Sequence, residues 1–170
     1  MLPKVSIIMG STSDYGVMES AAKILNEFRI PFEISALSAH RTPEMVEKFA
    51  RNAQERGVRV IIAGASGAAH LPGVIAAFTT LPVIGVPLTS AISLDGWDSI
   101  LSILQMPPGI PVATVGLNAS MNAALLAIQM LSLFDDEINK EFTKYKENLK
   151  QKVISANAEL SEKKFDFKTN

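Results

Sequence analysis

The chain of 170 residues has no cysteine and only two histidines, two tyrosines and one tryptophan. Without cysteine there is no disulfide, no zinc–thiolate centre and no thiol nucleophile, and two histidines leave little material for a transition-metal site. Metal-free chemistry is therefore expected. Neither sign of charge is in excess: 16 basic residues face 17 acidic ones, with no basic stripe, which argues against a dedicated nucleic-acid binder. No apolar run approaches the ~20 residues of a membrane span. The N-terminus enters a strand pattern at once, without the cationic stretch, apolar run and cleavage site of a leader. The expectation is a soluble cytoplasmic protein with no nucleic-acid or membrane partner.

Charge is also scarce in one part of the chain. Residues 1–134 carry 8 basic and 9 acidic side chains, whereas residues 135–170 carry 8 of each. So apolar a body either packs an unusually large core or turns much of its surface toward other subunits; we favour the second. The length suits one domain, with an α/β catalytic body over 1–134 and a helical extension of the same domain over 135–170.

What is present alternates. Val5-Ser6-Ile7-Ile8-Met9 is a short β-branched run stopped by Gly10, the pattern of a buried strand. A helix is predicted from about Tyr15 to Arg29, with Asp14 as N-cap and Met18, Ala21, Ala22, Leu25 and Phe28 on one face. Phe32 to Leu37 reads as a strand. Thr42-Pro43, a capping hydroxyl before a proline at the first helical position, opens a helix to about Arg56. Strands at Val58–Ala63, Val83–Val86 and Val112–Val115 alternate with helices at Leu71–Phe78, Asp98–Gln105 and Ser120–Phe134. This spacing implies a parallel sheet covered on both faces: a three-layer α/β/α sandwich, flavodoxin-like or Rossmann-like, with a C-terminal helical extension. From Asp135 to Leu160, Ile138, Phe142, Tyr145, Leu149, Val153, Ala156 and Leu160 recur at steps of three and four, predicting one more helix whose greasy seam packs on another subunit.

In such sheets ligands bind beyond the C-terminal strand ends, where three loops of small residues fall. Gly10-Ser11-Thr12-Ser13-Asp14 opens a helix, whose free N–H groups and dipole attract an anion such as phosphate; it is equally an ordinary capping turn. Asp14 either caps the helix or accepts hydrogen bonds from sugar hydroxyls. Ser38-Ala39-His40-Arg41-Thr42-Pro43 joins an imidazole, able to give and take protons near neutral pH, to a fixed positive charge suited to phosphate. Gly64-Ala65-Ser66-Gly67-Ala68-Ala69-His70 lets a flat ligand approach the backbone closely, or else serves tight helix-on-sheet packing. Trp97 is either an interface plug or a lid.

The stretches Ser38–Pro43, Gly64–Gly73 and Gln105-Met106-Pro107 with Gly109-Ile110-Pro111 together resemble the class I N5-carboxyaminoimidazole ribonucleotide mutases of purine synthesis, over roughly residues 4–134. The resemblance implies the same sandwich, a homo-octamer with sites where subunits meet, a ribonucleotide substrate, and no metal, ATP or organic cofactor. It makes His40 the general acid/base and Ser11, Asp14 and Arg41 substrate-binding residues, with Ser13 and Ser38 in the phosphate-facing shell. It also makes His70 a second catalytic residue, at the wall beside the transferred carboxyl group, and gives Gly64, Ser66, Gly67, Ala68 and Leu71 a substrate-binding role there. Ser66 stands where the resembled family more often has glycine, so its hydroxyl either narrows that wall or adds a hydrogen bond. Two rivals remain at this point: a class II carboxylase using free carbon dioxide, and a nucleotide-binding module without catalysis, since fold alone proves no function.

Overall fold

The computed structural model describes residues 1–170. Five strands form one parallel sheet: β1 (Val5–Met9), β2 (Phe32–Ala36), β3 (Val60–Ser66), β4 (Val83–Leu88) and β5 (Ala113–Thr114), in the order β2-β1-β3-β4-β5. That is the flavodoxin-like order. Helices α1 (Tyr15–Glu27), α2 (Pro43–Asn52), α3 (Leu71–Phe78), α4 (Trp97–Leu104) and α5 (Ser120–Ser132) make the crossovers and the outer layers, and α6 (Asp136–Ser161) follows them.

The core divides as the two-residue period of a strand requires. Val5, Ile7, Met9, Val60, Ile62, Ile84 and Val86 point to the face covered by α1 and α5. Ile8, Ile61, Ala63 and Val83 point to the other, under α2, α3 and Ile103 of α4. Strands β1 and β4 are buried along their whole length, as sheets covered on both sides demand. Each such Ile or Val stabilises the fold by about 1.5–3 kcal/mol through burial.

Several boundaries differ from the sequence expectation, each for a local reason. Helix α1 ends at Glu27 rather than Arg29, because Arg29 adopts a left-handed φ of 56° in the turn toward Pro31 and β2. Helix α2 stops at Asn52 rather than Arg56; Gly57, at φ 99°, turns the chain into β3. Strand β3 begins two residues later than expected and runs on to Ser66, since Gly64, Ala65 and Ser66 pair in register with Val86, Pro87 and Leu88 of β4. The first three of the seven residues assigned to the third loop are thus strand. The N-cap role expected of Asp14 also fails: Thr12–Asp14 is a 3-10 turn whose cap is Ser11, its Oγ accepting from the Ser13 N–H at 3.3 Å, and Asp14 makes no side-chain cap bond.

Helix α6 starts where the sequence suggested. Asp135 caps it by accepting from the N–H groups of Glu137 and Ile138, and Asp136 and Glu137 in the first turn suit the dipole. Within one chain only the first half of its seam is covered: Phe142 is buried, and Tyr145 lies 5.4 Å from Phe28, ring centre to ring centre. Leu149, Val153 and Leu160 remain exposed.

Candidate active site

Met9, the last residue of β1, pairs with Ala36 on one side and Gly64 on the other. The chain segments after β1, β2 and β3 therefore emerge side by side at the point where the strand order reverses. Between them lies a cavity of about 170 Å³ lined by Gly10, Ser11, Ser13, Asp14, Ser38, Ala39, His40, Arg41, Ala65, Ser66, Ala69, His70 and Leu71.

The two histidines of the chain meet there. His40 Nε2 lies 2.5 Å from His70 Nδ1, with the rings edge-to-face and their centres 4.8 Å apart. At that separation the two rings are hydrogen-bonded, one nitrogen donating and the other accepting. The backbone contribution is specific: Ala69, immediately before His70, is buried and holds a left-handed φ of 49°, with its N–H bonded to the Ser66 carbonyl. A non-glycine residue in that region is uncommon. Gly67, at φ 60°, makes the same turn possible from its other side.

In the same cavity Arg41 crosses from the β2 loop to the β1 loop. Its guanidinium donates to the Gly10 carbonyl at 3.3 Å and, through Nε, to Ser38 Oγ at 3.4 Å, and its backbone N–H donates to the same Oγ at 3.2 Å. Arg41 lines the cavity together with Ser11 and Ser13, which precede α1 and add the positive end of its dipole. An anion of phosphate size fits this chemistry. Asp14 lines the same cavity; burial raises its carboxyl above the usual carboxylate range, against a lowering hydrogen bond from the Ser11 backbone.

Of the residues picked from the sequence, Ser11, Ser13, Asp14, Ser38, His40, Arg41, Ser66, His70 and Leu71 converge on this cavity, while Gly64, Gly67 and Ala68 do not line it. Gly64 serves packing instead: a Cβ there would sit 2.6 Å from Met18 Sδ and 3.1 Å from Leu88 Cδ1, so the bare α-carbon leaves room for those two buried side chains. Ala68 is exposed at the loop tip. The lining residues Gly10, Ala39, Ala65 and Ala69 were not singled out individually, and their only sequence signal was smallness beside a strand end. The capping role expected of Thr42 is also absent. Its side chain makes no bond to α2 and turns back to Ser38, leaving α2 without a cap of the kind worth about 0.5–2 kcal/mol.

The profile of the family described as AIR carboxylase matches residues 4–152. The chain belongs to the AIR carboxylase family. Among its relatives in that family is a protein of Pyrococcus abyssi named N5-carboxyaminoimidazole ribonucleotide mutase, 59% identical over 150 residues, covering 88% of this chain and 86% of the relative. A Bacillus subtilis protein of the same name is 53% identical over 162 residues, covering 94% and 99%. The crystal structure of Treponema denticola PurE superposes with a TM-score of 0.82 at 35% identity, covering 93% of this chain and 98% of that one. The cavity thus lies wholly inside the segment that defines the AIR carboxylase match.

Proposed function

We propose that the chain is an N5-carboxyaminoimidazole ribonucleotide mutase, an isomerase that moves a carboxyl group from the exocyclic nitrogen to ring carbon 4 of an aminoimidazole ribonucleotide. The observation that carries this reading is the His40–His70 contact in a cavity that also holds Arg41 against the β1 loop. Relatives bearing the mutase name at 59% and 53% identity support it over the carboxylase.

In this reading Arg41, Ser11 and Ser13 bind the phosphate, Ser38 holds Arg41, and Asp14 accepts from the ribose hydroxyls. His40 donates a proton to the exocyclic nitrogen as its bond to the carboxyl carbon breaks and carbon dioxide is released. The small wall of Ala65, Ser66 and Ala69, closed by His70 and Leu71, keeps that molecule beside the ring. Ring carbon 4, nucleophilic through the amino group, attacks it, and the imidazole of His40 removes the ring proton to restore aromaticity. His40 ends as it began, so the reaction is balanced without cofactor or metal. The protein supplies confinement and one proton shuttle.

The test is turnover with bicarbonate varied. The mutase reading expects conversion of the N5-carboxy substrate independent of added bicarbonate. Conversion of the uncarboxylated ribonucleotide that rises with bicarbonate, with none of the N5-carboxy compound, would replace it by the carboxylase.

The same reading carries an assembly, a homo-octamer, and the cytoplasm as its compartment. Trp97, Leu101 and Leu104 recur at steps of four and three along α4 and are all exposed, as are Ile92 and Leu94 just before the helix, more apolar surface than single surface hydrophobics present. Light scattering on the intact chain should report a multi-subunit particle, and truncation after Phe134 should reduce both its size and its activity; an active monomer would remove the assembly. No helix is long and apolar enough to cross a membrane.

A further inference from the structure

One hydroxyl outside the cavity closes the loop that carries His40 and Arg41. Thr42 Oγ1 accepts from the Ser38 N–H at 3.0 Å and donates to the Ser38 carbonyl at 3.1 Å, and the Thr42 N–H donates to that carbonyl at 2.9 Å. These three bonds make a ring of Ser38, Ala39, His40, Arg41 and Thr42, with the two functional side chains at its tip. Thr42 itself is not among the lining residues. Its carbonyl accepts from the N–H groups of Met45 and Val46, so its backbone stands at the start of α2, where a threonine hydroxyl ordinarily turns forward onto the first turn. Here it turns back. The helix forgoes a stabilising contact so that a loop is held instead, the kind of local rule-breaking that accompanies a site needing fixed geometry.

We infer that Thr42 is a positioning residue for the reaction proposed above, on which the inference rests. It fixes Ser38, and through Ser38 the two contacts that steer Arg41; the same closed ring sets where His40 meets His70. Its effect reaches acid/base and phosphate groups together, because both sit on the one loop. Threonine suits the task since its β-branched side chain has few rotamers, so the hydroxyl stays aimed at Ser38.

The experiment compares full-length Thr42→Val, which keeps the shape and loses the hydroxyl, with Thr42→Ser, which keeps the hydroxyl. Thr42→Val should lower kcat about 10–100-fold, the scale of ångström-level misplacement, and also raise KM for the ribonucleotide; Thr42→Ser should recover most of both. A purely structural hydroxyl would shift the melting temperature and leave both constants unchanged below it. Retention of kcat and KM within about twofold in Thr42→Val, or a Thr42→Ser variant no better than it, overturns the inference. If Thr42→Val does not fold, Thr42→Ala takes its place. If the wild-type chain itself lacks mutase turnover, the proposed function falls, and the loop is judged by calorimetry with aminoimidazole ribonucleotide. Weaker binding by Thr42→Val than by Thr42→Ser then supports the positioning role, and equal binding overturns it.

Discussion

The two ends of the sheet treat polar groups in opposite ways. Near the N-terminal ends of β1 and β2, Ser6 donates to Glu33 at 2.5 Å and Arg56 pairs with the same carboxylate at 2.9 Å, while the Arg56 guanidinium lies 4.7 Å from the centre of the Phe49 ring. Burial alone would raise the Glu33 carboxyl, but the hydrogen bonds from Arg56 and Ser6 and the Arg56 charge hold it below the usual carboxylate range. At the C-terminal ends, Asp14 is shifted the other way by burial, Ala69 bends into a left-handed conformation, and Arg41 keeps donors free. One end satisfies its groups from within the chain and adds stability. The other places a half-buried carboxyl and a strained backbone around an opening that a ligand can enter, the arrangement expected where stability is traded for function.

The sharpest way to break this contrast is at the functional end. His40→Asn should bind the ribonucleotide with near-normal affinity while turnover falls about 10²–10⁴-fold, the usual worth of acid/base assistance; steady-state kinetics beside calorimetry check it, and activity within a few-fold of wild type would remove His40 from the chemistry. Arg41→Ala comes next. It should weaken binding of the ribonucleotide by about 1.5–3 kcal/mol and of the corresponding nucleoside far less, so equal losses in calorimetry would take Arg41 out of the phosphate site.

The smallest effects concern stability and have opposite signs at the two ends. Glu33 has its folded pKa below the ordinary 4.5, so its contribution is complete above that value and is lost as pH falls through the lower folded one. Glu33→Gln should cost about 1–2 kcal/mol at neutral pH and flatten the acid limb of a denaturation series. Asp14 has its folded pKa above the ordinary 3.8, so its ionised form works against folding at neutral pH and that penalty fades as pH falls through the raised value. Asp14→Asn should therefore leave neutral-pH stability unchanged or a few tenths of a kcal/mol higher, allowing for solvent screening, while weakening ribonucleotide binding. A clear destabilisation by Asp14→Asn would contradict the contrast.

How much of this was legible beforehand follows the chemistry of each segment. Val5–Met9 and Val83–Val86 announce themselves as strands because β-branched residues in short runs suit a doubly covered sheet. The loops at His40 and His70 are legible because small residues and a proline bracket a titrating side chain. Gly64–Ser66 was misread as loop since three small residues carry no strand propensity, and only the register with Val86–Leu88 makes them strand. That Ser11 and not Asp14 does the capping follows from a 3-10 turn that composition does not encode. Thr42 before Pro43 carries the signature of a cap; no local pattern says that its hydroxyl bonds backward.

Every residue lining the cavity lies between Gly10 and Leu71, yet the helix that seats α1 arrives much later. Ser120, at the start of α5, donates from its Oγ to the Val17 carbonyl of α1 across 103 residues of sequence, and Ala123, Ala124, Ala127 and Ile128 join the core beside Met18, Ala21 and Leu25. During synthesis, then, a nascent chain that has passed residue 71 already contains all the pocket's side chains but not the surface against which the anion-binding turn is anchored. The late closure of so long a loop is the slow kind of step in folding. A chain stopped short of Ser120 would thus carry the pocket's side chains without the packing surface against which α1 is held.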